Sequence, residues 1–352
     1  MTTASAAAGL AGTRLRELRA RALWLVPAAV VALGAPFSLS DYHVFQLTQV
    51  VVYAIAVLGL NLLTGFSGQI SLGNGAFYAL GAYSAVIAMT HAGVPYWATP
   101  PLAGALCFAA GYLFGRSAAR LEGLYLALAT FALAITTPQL LKLDALERWT
   151  GGNQGVVIDK PVSPIPALLN DDRWLYFFCL AVAILLFTGA WNVVRGRTGR
   201  ALIALRDHPI AAGTMGIDVA AYKATAFGVS AMFTGIAGAL GALLSGFVAP
   251  DSFQLALSIQ LLVGVVVGGI ASIGGTVFGA VFIEVVPDLT KHASELSPAL
   301  AWLADVQYPM YGVLLIVTVL VLPGGVAGAA AVVRHRLTRS GGHASGAPRS
   351  AL

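Results

Sequence analysis

Side chains able to do chemistry are sparse in this chain and gather in three places. The first reads Thr64-Gly65-Phe66-Ser67-Gly68-Gln69-Ile70-Ser71-Leu72-Gly73-Asn74-Gly75. It sets Ser67, Gln69, Ser71 and Asn74 among four glycines in the eleven residues 65–75. Hydroxyls and amides donate and accept hydrogen bonds without carrying charge, which suits a weakly polar, wet lining. The second reads Gly268-Gly269-Ile270-Ala271-Ser272-Ile273-Gly274-Gly275-Thr276. Aligning Gly68-Gln69-Ile70-Ser71-Leu72-Gly73 with Gly269-Ile270-Ala271-Ser272-Ile273-Gly274 matches glycine, serine, an aliphatic and glycine in register, and Phe77 then meets Phe278. The third is the polar stretch 195–223, RGRTGRALIALRDHPIAAGTMGIDVAAYK.

Reaction chemistry is not legible in any of them. There is no Gly-x-x-x-x-Gly-Lys-[Ser/Thr] phosphate cradle and no Gly-x-Ser-x-Gly nucleophile elbow. The six histidines have no metal-ligand spacing. Cys107 and Cys179 both sit within apolar runs, where a free cysteine packs as a small hydrophobe. No basic stripe interleaved with aromatics is present, so the net charge of +5 is not a nucleic-acid signal.

The elements that must position these residues belong to a membrane protein. Of 352 residues, 58% are hydrophobic and only 10% charged, and the mean hydropathy is +0.82. A soluble domain carries about a quarter charged residues, so lipid must act as solvent for part of this chain. Apolar runs fall at about 22–40, 44–64, 76–91, 96–115, 121–141, 174–194, 222–248, 252–269, 274–289 and 308–330. Helices are the expected spanning form, since they satisfy every backbone group internally and the alternation of a barrel is missing. The run 22–39 follows Arg14, Arg16, Arg19 and Arg21 and reads as an uncleaved first span rather than a signal-peptide core.

Arginines test that count. Placing the N-terminal cluster in the cytoplasm also puts inside Arg116 and Arg120, then Arg195, Arg197, Arg200 and Arg206, then Arg334, Arg336 and Arg339. All agree with the positive-inside rule. The expected layout is a cytoplasmic segment 1–21, a transmembrane domain 22–333 with an outer loop 142–173 and a cytoplasmic segment 195–221, and a disordered cytoplasmic tail 334–352. Residues 252–289 read equally as two short spans or as a re-entrant hairpin.

Glycine costs up to about 1 kcal/mol per residue against alanine in a helix interior, so both glycine-rich stretches predict unwound backbone. Such backbone at membrane depth must be buried in protein or line a cavity, and a pair of interrupted segments points to a transport path. The competing reading is helix packing through Gly264 and Gly268, or Gly275 and Gly279. For Gly235, Gly238 and Gly241, which line one helix face, packing is the better reading. Glu284 is the ionisable residue set well inside an apolar run, too few for an ion-coupled carrier. In the third stretch, Asp207-His208-Pro209 starts a short helix over 210–215, with Gly213 and Gly216 near its end. That helix either docks a partner or rests on anionic lipid.

Taken in order, these residues resemble the LivM-type permease subunits of bacterial branched-chain amino-acid ABC importers. The resemblance runs from about Tyr42 to Pro323. It rests on Gly59-Leu60-Asn61-Leu62-Leu63-Thr64-Gly65-Phe66-Ser67-Gly68-Gln69-Ile70-Ser71-Leu72-Gly73, on Gly123-Leu124-Tyr125-Leu126-Ala127-Leu128-Ala129-Thr130, and on Thr150-Gly151-Gly152-Asn153-Gln154-Gly155. Gly199-Arg200-Ala201 with Ala204, Arg206, Ala211, Ala212, Gly216 and Ile217 completes it. The chain has Asp207 where that family usually has glutamate.

The resemblance implies an all-α permease of about ten transmembrane helices, of the type II importer kind, in a bacterial inner membrane. It implies a homologous second permease, two ATPase subunits that bind the ATP and magnesium, and an extracytoplasmic solute-binding protein, with no cofactor and no catalysis in this chain. The expected path residues are Ser67, Gln69, Ser71, Gly73, Asn74, Tyr125, Thr130, Ser272, Gly274 and Thr276. The expected ATPase-docking residues are Arg206, Asp207, His208, Ala211, Ala212, Gly213 and Gly216. Related permeases that carry urea or short amides, and a gradient-driven carrier acting alone, are the alternatives.

Overall fold

The computed structural model describes residues 32–121, 123–164, 170–296 and short pieces between 312 and 328. The segments expected at 1–21 and 334–352, and most of the runs 22–40 and 308–330, lie outside the described residues.

Apolar runs become helices wherever glycine and proline allow. Helix α1, Asp41–Asn61, runs straight into a π turn, Leu62–Phe66. After Ser67 no regular structure forms until α2, Asn74–Ala92, which stops at Gly93 in the left-handed region (φ 61°). Helix α3, Thr99–Ser117, carries proline in its first turn, where a missing N–H costs nothing. Then come α4, Leu124–Leu141, and the short α5, Asp144–Thr150. Helix α6, Asp171–Arg195, leads into α7, Arg197–Asp207, and the six-residue α8, Pro209–Thr214. Helix α9, Val219–Ser245, is capped by Asp218, whose carboxylate accepts from the Ala221 N–H at 3.0 Å. Helices α10, Leu255–Gly268, and α11, Gly275–Leu296, flank the second glycine-rich stretch. Two residues of the long loop, β1 (Val156–Val157), pair antiparallel with β2 (Phe247–Val248).

Among the described residues, six helices are long and apolar enough to cross a membrane. The centre of the bundle is α9, buried along most of its length. Small residues make that burial possible. Gly235 sits against Cys107 and the Ala103 carbonyl, Gly111 against Ala231, and Gly115 against Ala224 and Phe227, so α3 and α9 run antiparallel in close contact. Gly81 abuts the Gly235 carbonyl and Gly238 the Tyr78 carbonyl, leaving no room for a Cβ between α2 and α9. The packing reading of Gly235, Gly238 and Gly241 therefore describes their geometry. Gly264 faces Gly279 and Gly268 faces Gly275, which closes α10 and α11 into an antiparallel pair. Both cysteines are buried.

Two contacts fix the direction of α11. Tyr42 Oη donates to Asp288 Oδ1 at 3.0 Å near the start of α1, and Asn61 Nδ2 donates to the Ser272 carbonyl at 2.9 Å at its end. Helix α11 thus runs antiparallel to α1 over its whole height. Both glycine-rich stretches lie at the same end of the bundle, and α2 and α11 leave that end in the same direction. The β1–β2 pair and the Lys142–Asp251 ion pair (2.7 Å) lie at the other end.

Candidate functional site

The first glycine-rich stretch leaves helical geometry in two stages. The π turn loosens the ladder, and the backbone then runs free from Gly68 (φ 72°) to Gly73. Side chains stand in for the lost partners. Gln69 Nε2 donates to Ser67 Oγ at 2.6 Å and to the Lys223 carbonyl at 3.3 Å. Ser71 Oγ donates to Asn74 Oδ1 at 3.1 Å and accepts from the Gly73 N–H at 3.2 Å. Asn74 Nδ2 donates to Ser230 Oγ and Thr234 Oγ1 at 3.2 and 3.0 Å. Thr130 Oγ1 accepts from the Leu72 N–H at 3.0 Å, and Ser258 Oγ accepts from the Gly75 N–H at 2.9 Å.

This break therefore climbs α9 from Lys223 to Thr234, about three turns of an α-helix. Ser67, Gln69, Ser71, Asn74 and Thr130 are all buried. Ser67 and Gln69 border a cavity of about 170 Å³ that also touches Leu121, Leu126, Arg206 and Lys223.

The second break is held by one side chain from the end of α1. Asn61, fully buried, accepts from the Ala271 N–H at 2.9 Å and donates to the Ser272 carbonyl at 2.9 Å. Ala271 is the described non-glycine residue in the left-handed region (φ 60°), a conformation costing about 1–2 kcal/mol. Ser272 Oγ accepts from the Gly275 N–H at 3.1 Å, and Thr276 Oγ1 donates to the Ile273 carbonyl at 2.7 Å. Thr276 is buried, whereas Gly274 faces open space. The two breaks touch, because a Cβ on Gly65 would meet Asn61 Oδ1 and lie 2.5 Å from the Ala271 nitrogen. The alignment of their side chains ends sooner than expected: Phe77 is buried and Phe278 exposed.

The third stretch packs under the first. Arg206, on α7, donates from Nη1 to the Gly65 carbonyl at 2.9 Å and from Nε to Asp207 Oδ1 at 3.0 Å. The short helix forms as the sequence predicts, but Ala211, Ala212 and Gly213, all expected docking residues, do not share one surface. Ala212 is buried, while Ala211 and Gly213 are exposed. Successive residues turn by 100° in a helix, so three in a row cannot share a face. The side chains that protrude are Ile210 and Met215, 86% and 85% exposed. Asp207, His208 and Gly216 are exposed as well.

The comparisons with known proteins meet this arrangement over nearly its full length. Residues 42–333 match the family described as "Branched-chain amino acid transport system / permease component". The chain belongs to that permease family. It is a transport subunit and not an enzyme. Two relatives are the high-affinity branched-chain amino acid transport system permease protein LivM of Salmonella typhimurium LT2 and of Escherichia coli K12. They are 34% and 35% identical to this permease over 298 residues, covering 78% of this chain and 70% of each relative. The autoinducer 2 import system permease protein LsrC of an Enterobacter species (strain 638) is 34% identical over 97 residues, 28% of each chain. No solved structure matches the permease.

Within the permease, Tyr125 stands apart from the other expected path residues. It lies on the outward face of α4, 71% exposed, beside Leu128 at 53%. The motif 150–155 is a turn. Thr150 Oγ1 donates to the Leu141 carbonyl at 2.8 Å, and Gly155 (φ 73°) fits against the Val248 carbonyl beside the β1–β2 pair. Asn61, Ser230, Thr234 and Ser258 carry much of the site's hydrogen bonding. Asn61 stands in the motif 59–73 without a role of its own, and the other three were not singled out from sequence. An amide at the end of a long apolar run was the available signal for Asn61. The three hydroxyls had none, since a serine or threonine in a span can return its proton to its own backbone.

Proposed function

We propose that this chain is the membrane-spanning permease subunit of an ATP-driven importer of branched-chain amino acids: leucine, isoleucine and valine. The match over residues 42–333 carries the reading, and the names of the two LivM relatives supply the solute. In this reading a second permease of similar fold completes the membrane unit, and an extracytoplasmic solute-binding protein selects the cargo. Two ATPase subunits hold the ATP and magnesium, and this chain needs no cofactor.

The reading takes the end of the bundle that carries the two breaks, α7 and α8 as cytoplasmic, in line with the arginines at 195–206. Both chain termini then lie in the cytoplasm of a bacterium, and the chain crosses its inner membrane about ten times. Residues 252–289 count as two spans, which the height of α11 against α1 supports. Layout follows the sequence reading: 1–21 and 334–352 cytoplasmic, 22–333 the transmembrane domain, 142–173 outside.

Ser67, Gln69, Ser71, Gly73, Asn74, Tyr125, Thr130, Ser272, Gly274 and Thr276 border the path. The burial and mutual hydrogen bonds of Ser67, Gln69, Ser71, Asn74 and Thr130 belong to a closed path in this reading. Segment 195–221 docks the ATPase, with Ile210 and Met215 as the protruding apolar contacts and Asp207, His208, Ala211, Gly213 and Gly216 around them.

The test is uptake of labelled leucine into proteoliposomes holding the permease pair, the ATPases and the binding protein. Uptake is expected only with all components and ATP. Leucine uptake by this chain alone, abolished by an ionophore, would overturn the proposal, as would ATP-dependent uptake of urea with none of leucine.

A further inference from the structure

Arg206 lies in the segment read as the ATPase docking element, and although its side chain is 36% exposed, one end of its guanidinium reaches the bundle. Its Nη1 donates to the Gly65 carbonyl at 2.9 Å, and Asp207 holds its Nε at 3.0 Å, which fixes the guanidinium plane. Its stem lies across Gly68, where a Cβ would sit 2.8 Å from Arg206 Cγ. The carbonyl it takes belongs to the π turn, whose groups have left the regular ladder and need outside partners.

One turn earlier on the same strand of chain, Asn61 grips the second break through the Ala271 N–H and the Ser272 carbonyl, each at 2.9 Å. Gly65 itself is pressed between Asn61 Oδ1 and the Ala271 backbone. A continuous run of hydrogen bonds and backbone contact therefore leads from α7 through Gly65 and Asn61 into both breaks.

The inner part of this run is tightly held. A hydrogen bond from a charged donor is roughly twice as strong as a neutral one. A backbone carbonyl left unpaired away from water carries its full desolvation cost. Asn61 is fully buried, and its two amide groups are both spent on the second break. Packed interfaces of this kind move between discrete arrangements rather than stretching.

We propose that Arg206 is a positioning residue that carries displacement of α7 and α8 to both broken segments, with Asn61 as the joint that makes them move as one body. The ATPase would then act on the path through the Gly65 carbonyl rather than through the whole bundle. The π turn is the compliant part: it shifts as a unit because its carbonyl travels with the guanidinium. This rests on the reading of 195–221 as the docking segment, and the experiment separates the two.

The first arm is the assembled importer in proteoliposomes. In Arg206→Ala the ATPases are expected to co-purify, while leucine taken up per ATP hydrolysed falls at least tenfold. Arg206→Lys, which keeps one donor within reach, is expected to recover part of the loss. Unchanged leucine per ATP in Arg206→Ala would overturn the proposal. Loss of the ATPases from that variant would also overturn it, since Arg206 would then be a docking contact.

The second arm needs neither solute nor ATPase and stands if the parent reading fails. Amide hydrogen exchange in the purified chain is expected to speed up about tenfold or more in both 65–73 and 269–274 for Arg206→Ala. Faster exchange confined to 65–73 would overturn the linkage. In Asn61→Ala combined with Ala271→Gly, where glycine relieves the left-handed backbone and protects folding, adding Arg206→Ala is expected to alter 65–73 alone. A continued effect on 269–274 would remove Asn61 from the proposal.

Discussion

Gly73 and Gly81 are both short of room, but for different reasons, and the difference predicts different failures. A Cβ on Gly73 would lie 3.0 Å from the Thr130 carbonyl and 3.5 Å from the tip of Leu133. Those atoms belong to α4, which has few neighbours and a mostly exposed surface, so it can shift outward. Gly73→Leu is expected to leave the complex assembled and to cut leucine uptake more than tenfold, measured as ATP-driven uptake beside co-purification of the partners. Gly81 meets the Gly235 carbonyl on α9, at the centre of the bundle, where neither backbone can retreat. Overpacking a well-filled core costs about 1–3 kcal/mol or more. Gly81→Leu is expected to lower the melting temperature of the detergent-purified chain by several degrees and to reduce its yield. The sequence told these two glycines apart only in part: it marked Gly73 by the polar residues around it, and it gave no reason to single out Gly81.

Elements were legible where the signal is local. Pro209 starts α8 and the cluster 65–75 breaks the first stretch, because proline and glycine act on their own backbone wherever they stand. The orientation of α8 was not legible, since six residues give no periodicity to read. Asn61 was legible as a residue and not as a joint, because its partners lie 210 and 211 residues along the chain. The exposed face of α8 makes Ile210, rather than the buried Ala212, the residue that tests docking. A residue so exposed contributes little to this chain's own stability, so its substitution reports on the partner. Ile210→Asp is expected to weaken ATPase co-purification at least tenfold while membrane insertion and the melting temperature of the isolated chain stay the same. Equal co-purification would place the ATPase elsewhere on 195–221. Ala212→Arg, by contrast, forces a charge against packed backbone and is expected to destabilise the chain itself.

At the scale of the whole molecule, the uneven burial of the helices says where a path can run. Helix α9 is enclosed by its neighbours, whereas α4 and α6 are each only 22% buried along their apolar windows. Both helices expose mixed side chains, among them Leu124, Tyr125, Leu128 and Gln139 on α4 and Ile184, Leu185, Thr188 and Asn192 on α6, but it is α4 whose Thr130 holds the first break. Among the described residues α9 fills the centre of the bundle. On the proposed function, the path runs between α4 and the second permease, with the glycine-rich breaks at one end of it. Cysteine labelling tests this cleanly, because Cys107 and Cys179 are fully buried and give a quiet background. Leu128→Cys is expected to react with a water-soluble maleimide in the assembled importer, faster during ATP turnover than at rest. Leu185→Cys, on α6, is expected to stay unlabelled under both conditions. Equal protection of both positions would put the path away from α4, and faster labelling at 185 would move it to α6. A rate at 128 that does not respond to ATP would leave α4 wet but remove it from the moving path. Leu128 and Leu185 are both exposed, at 53% and 70%, so the comparison sets the α4 side of the bundle against the α6 side.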